Sequence, residues 1–280
     1  MSSVSKVSAP SATLFRSATL FRSTALSDST VMFRRNLIHL RRYPSMTAIL
    51  VGMPVVFLLL FVYVFGGTLG AGLPGAGGRA AYLAYVTPAI VIMAAASAAQ
   101  GTAISVATDM TEGIIARFRT MAISPGSVLA GHVLASVVQG LLAMGTVLLV
   151  SIALGFRPDA AAMEWLALFG VLAFVALALT WLSVALGLVS DSIETASNLP
   201  MFLIILPFLG SGFVPTDSMP TALRWFAEYQ PFTPIIETVR GLLASDAHAG
   251  TVALALGWCA LITAAGYGWA RSLMRRERTR

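Results

Sequence analysis

Charge is scarce in this chain. Asp, Glu, Lys and Arg make up 11% of its 280 residues, against roughly 25% in an ordinary globular chain, too few to coat a water-facing surface. The single cysteine, Cys259, has no intrachain partner, which excludes a disulfide framework and a multi-cysteine metal site. The three histidines, His39, His132 and His248, lie in separate segments and read as interfacial or packing residues. Also missing are a G-x-x-x-x-G-K-[ST] phosphate loop, an H-E-x-x-H zinc pair and a G-x-S-x-G nucleophile elbow, so the parts for nucleotide or ester hydrolysis are lacking. The chain is therefore not expected to be an enzyme or to bind a cofactor or metal directly.

Apolar sequence fills the space that charge leaves. Hydrophobic residues make up 57% of the chain and its mean hydropathy is +0.83. Several runs reach the roughly 20 residues that a helix needs to cross about 30 Å of hydrocarbon. The expected fold is an all-α integral membrane protein with six transmembrane helices, near 48–65, 81–106, 128–154, 165–189, 193–212 and 251–270. The fifth is the weakest, because Pro200 and Pro207 interrupt it and Asn198 lies near its start.

Charge distribution argues for keeping that fifth span. With six crossings both termini share one side, which then holds Lys6, Arg16, Arg22, Arg34, Arg35, Arg41, Arg42, Arg117, Arg119, Arg271, Arg275, Arg276, Arg278 and Arg280 and leaves Arg79, Arg157, Arg224 and Arg240 outside. Lys and Arg are retained on the cytoplasmic side, so both termini are expected to be cytoplasmic in a multi-pass protein of the bacterial cell membrane. The net charge of +6 thus reflects topology, and no nucleic-acid partner is expected.

Residues 1–30 read as a disordered cytoplasmic tail, with an immediate duplication, Ser11 to Arg16 followed by Ser17 to Arg22. Their Ser/Arg-rich, acid-poor makeup also resembles an organellar transit peptide. Over 31–43 the pattern becomes helical: Phe33, Leu37 and Leu40 share one side, while Arg34, Arg35, Arg41 and Arg42 gather on the other. Such a segment lies along the inner leaflet as an amphipathic interface helix, and Pro44 breaks it. A basic cytoplasmic tail, 276–280, closes the chain.

No Asp, Glu, Lys or Arg falls within the body of a span, whereas ion-coupled carriers place such groups at membrane depth. Energy for transport would have to enter from outside the bilayer. Two loops carry the remaining signal. The inner one holds Asp109, Glu112, Gly113, Arg117, Phe118 and Arg119; it is either a solvated connector or a docking helix whose Phe118 and Ile115 enter a partner's groove. The outer one, 211–241, contains Phe213, Pro215, Pro231, Pro234, Glu237 and Arg240. It is too apolar for a free loop and too polar for a span, which suggests either a re-entrant helical hairpin or an ordinary surface helix pair. Glu237 and Arg240, three apart, can pair on one helical face. Ser97, Gln100 and Gln139 are candidates for lining a pathway, or for hydrogen bonds between helices.

Taken in order, these segments resemble the membrane subunit of ABC type-2 exporters, most closely the daunorubicin-resistance type of permease, over about 31–275. The matching elements are Arg41-Arg42-Tyr43-Pro44, the loop with Glu112-Gly113, Arg117-Phe118-Arg119 and Ile123-Ser124, and the outer Gly212-Phe213-Val214-Pro215 with Pro231-Phe232-Thr233-Pro234, Glu237 and Arg240-Gly241. The resemblance implies a six-span ABC type-2 transmembrane domain that pairs with a second copy or a related permease. Two separate ABC ATPase subunits, which bind the ATP and Mg, would dock below. It further implies that Asp109, Glu112, Gly113, Arg117, Phe118 and Arg119 form the ATPase-coupling element, assisted by Arg34, Arg35, Arg41 and Arg42, and that the outer hairpin caps an exit path for a hydrophobic or amphipathic substrate such as a drug, antibiotic or lipid. Ala122 departs from the pattern, since relatives often carry Pro there. Competing readings are a non-transporting scaffold or assembly factor and a passive channel.

Overall fold

In hydrocarbon a backbone has no water to bond, so a long apolar run satisfies its N–H and C=O groups internally as helix. A computed structural model describes residues 44–73, 77–112 and 125–276, and every regular element among them is helical. In chain order these are α1 (Pro44–Leu60), a π-helical turn (Phe61–Phe65), α2 (Gly66–Ala71), α3 (Arg79–Thr111), α4 (Pro125–Ala153), α5 (Ala162–Val189), α6 (Ile193–Asn198), α7 (Met201–Ile205), two 3-10 turns (Leu206–Leu209 and Thr216–Ser218), α8 (Thr221–Tyr229), α9 (Phe232–Leu243) and α10 (Ala249–Arg276). The expected tail and interface helix, with Arg34, Arg35, Arg41 and Arg42, lie outside the described residues, as do 277–280.

Among the described residues, five stretches are long and apolar enough to cross a membrane: Gly52–Ala71, Arg79–Thr111, Gly131–Ala153, Ala162–Val189 and Ala249–Arg275. The central one is α3. Its apolar window is 78% buried, whereas those of the first and last spans are 22% and 17% buried, so the others wrap it. Its 33 residues extend about 50 Å at 1.5 Å each, well past the roughly 30 Å of hydrocarbon; the helix therefore projects beyond the bilayer and carries polar groups at both ends.

Small residues set how closely the helices approach. Ala94, Ala95, Ala96, Ala98, Ala99 and Ala103 of α3 are buried. Gly187 of α5 lies so near α3 that a methyl group there would come within 2.6 Å of the Ala103 carbonyl oxygen, and one at Gly266 of α10 would come within 2.7 Å of the Leu182 backbone nitrogen. Dispersion at such contacts holds helices together where lipid removes the hydrophobic drive.

The predicted fifth span corresponds to a broken apolar helix, Ile193–Leu209, shorter than the other five. Ser192 caps its start by accepting a hydrogen bond from the Thr195 N–H, and Pro200 separates α6 from α7 because it has no N–H to continue the ladder. At Pro207 the helix tightens into a 3-10 turn. The outer segment then forms two short helices, with Pro220 and Pro231 immediately preceding α8 and α9. Alpha-9 buries Phe232, Ile235, Ile236 and Val239, while α8 exposes Trp225 and Tyr229.

Candidate functional site: polar clusters at the two ends of the central helix

Near the N-terminal end of α3, Tyr82 and Tyr85 stand one turn apart and point at the segment that leads into α8 and α9. Tyr85 donates its hydroxyl to the Ser211 carbonyl at 2.8 Å, and Tyr82 donates to the Phe213 carbonyl at 3.3 Å. Arg240, from α9, reaches the same place. Its Nη2 donates to the Ser211 carbonyl at 2.8 Å and to the Tyr85 carbonyl at 3.2 Å, and its guanidinium carbon stands 4.0 Å from the centroid of the Tyr85 ring. Three elements distant in sequence thus meet at one carbonyl. Burial pulls the Arg240 pKa below the usual arginine value, opposed by Tyr85 and Glu237. The expected Glu237 partnership takes the form of a field effect: Glu237 is exposed, and Arg240 turns inward to carbonyls.

Packing reinforces this junction. Phe213 is buried, stacks on Phe208 with ring centroids 4.2 Å apart, and meets Phe61 of the π-helical turn at 4.6 Å. A methyl group at Gly212 would come within 2.7 Å of the Ala89 methyl, so the hairpin lies directly on α3. Gln230 donates to the Leu206 carbonyl at 3.1 Å, and Thr233 accepts from the Ser211 N–H at 3.3 Å. Of the other expected gate residues, Pro234 is buried while Pro215 and Pro231 are half-buried. The sequence reading did not find Tyr82, Tyr85 or Ser211; the i, i+3 tyrosine spacing was the available signal.

Further inward, Gln100 donates to the Ser197 carbonyl at 2.6 Å and ties α3 to α6. Ser97 is buried and Gln139 half-buried. The Thr102 and Ser136 hydroxyls bond each other across the α3–α4 seam, and Thr180 of α5 donates to Ser136 at 3.4 Å. These three hydroxyls were not distinguishable in the sequence from any other Ser or Thr in an apolar run.

Near the C-terminal end of α3, Asp109 and His132 of α4 are both buried, with Oδ2 and Nε2 2.9 Å apart. Glu112 is exposed and caps the C-terminus of α3, its N–H donating to the Thr108 carbonyl at 2.9 Å. Gly113, Arg117, Phe118 and Arg119 lie outside the described residues. Among the described residues, no three His, Cys, Asp or Glu side chains group as metal ligands.

The central helix thus carries polar junctions at both ends, with no Asp, Glu, Lys or Arg between Arg79 and Asp109. A family model described as ABC-2 type transporter matches residues 28–244. The chain belongs to that family. It is also 28% identical over 223 residues, 79% of this chain and 77% of the relative, to a Streptomyces coeruleorubidus protein named "Daunorubicin resistance ABC transporter permease protein DrrB1". An ABC-2 chain of this kind is the membrane subunit of an ABC transporter, and a separate ABC ATPase carries out ATP hydrolysis.

Proposed function

We propose that this chain is the permease of an ATP-driven exporter, moving a hydrophobic or amphipathic molecule out of the cytoplasm or inner leaflet of a bacterial cell membrane. In this reading it crosses the bilayer six times, Ile193–Leu209 being the short crossing, with both termini inside. It pairs with a second permease, and two ATPase subunits dock beneath. The carrying observation is the charge arrangement of the described spans: Arg79, Asp109, Glu164, Glu194, Arg271 and Arg275 all stand near helix ends. A carrier coupled to an ion gradient keeps ionisable groups at membrane depth, so this scaffold calls for force applied at its cytoplasmic edge. Asp109 and Glu112 stand at that edge, joined directly to the inner loop with Gly113, Arg117, Phe118 and Arg119.

The outer hairpin is the exit cap in this scheme. Among the described residues, the buried side-chain atoms without a hydrogen-bond partner are Ser183 Oγ, Ser211 Oγ, Gln230 Oε1, Thr238 Oγ1 and Arg240 Nε, four of which belong to the hairpin. Each such group costs about 1 to 3 kcal/mol. Opening the hairpin to water recovers that hydration and offsets part of the packing lost, which favours a movable cap over a fixed plug.

The test is reconstitution of the chain with its ATPase in proteoliposomes, using daunorubicin fluorescence as the first probe, suggested by the name of the relative, and a panel of fluorescent lipids as the second. ATP-dependent movement that disappears on Glu112→Ala or Arg117→Ala, with the complex intact, is the expected result. Movement that persists without any ATPase refutes the proposal.

A further inference from the structure

We infer that His132 is a positioning residue for ATPase coupling: its contact with Asp109 closes the neck between the end of α3 and the start of α4, so that the two helices move as one body. This inference rests on the exporter reading above and adds a residue to it. Alpha-3 ends at Thr111 and α4 begins at Pro125, so two helices must receive any push delivered between them. Unjoined ends would let the two helices move independently and dissipate the displacement. Asp109 stands two residues before the end of α3 and His132 two turns into α4, and their 2.9 Å contact joins the two strands of the neck where both side chains are buried.

Burial is what makes this contact a clamp. A buried carboxylate holds its hydrogen-bond partners, of which His132 is one, and without water to compete the contact persists, whereas an exposed pair would exchange freely with solvent. The seam continues inward along the same helix faces. Thr102 and Ser136 bond each other, Thr180 adds α5 to that junction, and a methyl group at Gly140 would sit in ordinary contact with Ala98 and Ala176. Displacement at the neck therefore reaches three spans through a close-packed, hydrogen-bonded line rather than through one flexible linker.

Two measurements on two variants test the inference. His132→Leu removes the hydrogen bond and keeps an apolar side chain, while His132→Gln places an amide NH2 where Nε2 stands. In the first measurement, the permease alone in nanodiscs is followed by hydrogen exchange. His132→Leu is expected to raise exchange about tenfold across 104–112 and 125–132, with 232–243 unchanged, and His132→Gln to stay near wild type. Unchanged exchange in His132→Leu overturns the clamp whatever the protein transports.

In the second, the complex with its ATPase carries a bimane on Thr221→Cys in a Cys259→Ala background, four residues from Trp225, to report movement at the outer hairpin on ATP addition. His132→Leu is expected to retain ATP hydrolysis and lose most of the bimane response, with His132→Gln recovering it. Coupling changes of this kind run to roughly 2- to 30-fold. A full bimane response in His132→Leu, a parallel fall in hydrolysis and response, or no recovery in His132→Gln overturns the coupling role. A wild-type complex that gives no ATP-dependent response overturns the exporter reading and the coupling role with it, and hydrogen exchange still decides the clamp.

Discussion

Replacing Arg240 with Met isolates the outer junction from the rest of the fold. The substitution keeps an unbranched apolar stem and removes the guanidinium, with its two hydrogen bonds to carbonyls and its stacking on Tyr85. Bonds from a charged donor contribute about 1.5 to 3 kcal/mol each, and a partly desolvated cation on an aromatic face about 1 kcal/mol. Two terms offset that loss. The mutant no longer desolvates a charge whose Nε has no partner, a relief of several kcal/mol, and Ser211 keeps the Tyr85 hydroxyl as a donor. The net destabilisation is expected to be about 2 kcal/mol, with hydrogen exchange raised at 206–213 and 232–243 and little changed at 162–189.

A double-mutant cycle sharpens the test. One Arg240 bond runs to the backbone carbonyl of Tyr85, which no side-chain substitution removes, so combining Arg240→Met with Tyr85→Leu reads the ring contribution and the shared Ser211 acceptor. A coupling energy of about 1 kcal/mol is expected from equilibrium unfolding in mixed micelles. If Arg240→Met lies within about 0.5 kcal/mol of wild type, as an ordinary surface substitution would, or if the two mutations simply add, then Arg240 is not what ties the hairpin to α3.

Two further outcomes are expected. Gly212→Ala would place a methyl group 2.7 Å from the Ala89 methyl and 2.8 Å from the Pro207 carbonyl oxygen, costing about 1 to 3 kcal/mol as an overpacked contact; adding Ala89→Gly should restore part of the loss in thermal unfolding, and no restoration would locate the strain at Pro207. For topology, Asp191→Cys and Asp217→Cys, each on Cys259→Ala, should label on opposite sides with a membrane-impermeant maleimide: Asp217→Cys in intact cells, Asp191→Cys only after permeabilisation. Labelling from the same side would remove the crossing assigned to Ile193–Leu209.

The sequence makes the helical, membrane-spanning class legible because hydropathy over a long run is a sum over many residues, and no single misread changes it. Boundaries are less legible. The central helix extends past the drawn 81–106 to Arg79 and Thr111, because helix does not end where hydrocarbon ends; the apolar run marks the solvent boundary, while the hydrogen-bond ladder continues until a cap intervenes. The segment that holds Phe213 and Arg240 does meet α3, through Tyr82 and Tyr85, which the motifs themselves do not name. For Glu237, i, i+3 spacing puts it on the same helical face as Arg240 without fixing which way a long side chain turns, and Arg240 turns to carbonyls.

Asp109 and His132 show the opposite failure. Twenty-three residues separate them, with a loop between, and a histidine at the start of an apolar helix carries no local sign of a buried carboxylate partner. What decides their meeting is the antiparallel register of α3 and α4, fixed by contacts spread along the seam, such as Thr102 with Ser136 and Ala98 with Gly140. Local pattern reports what each helix is, and register between helices reports what it touches. In a protein whose spans draw most of their residues from Ala, Leu, Val and Gly, that register depends on which small residues allow close approach, so the functional contacts at each end of α3 follow from the packing of its alanine-rich middle.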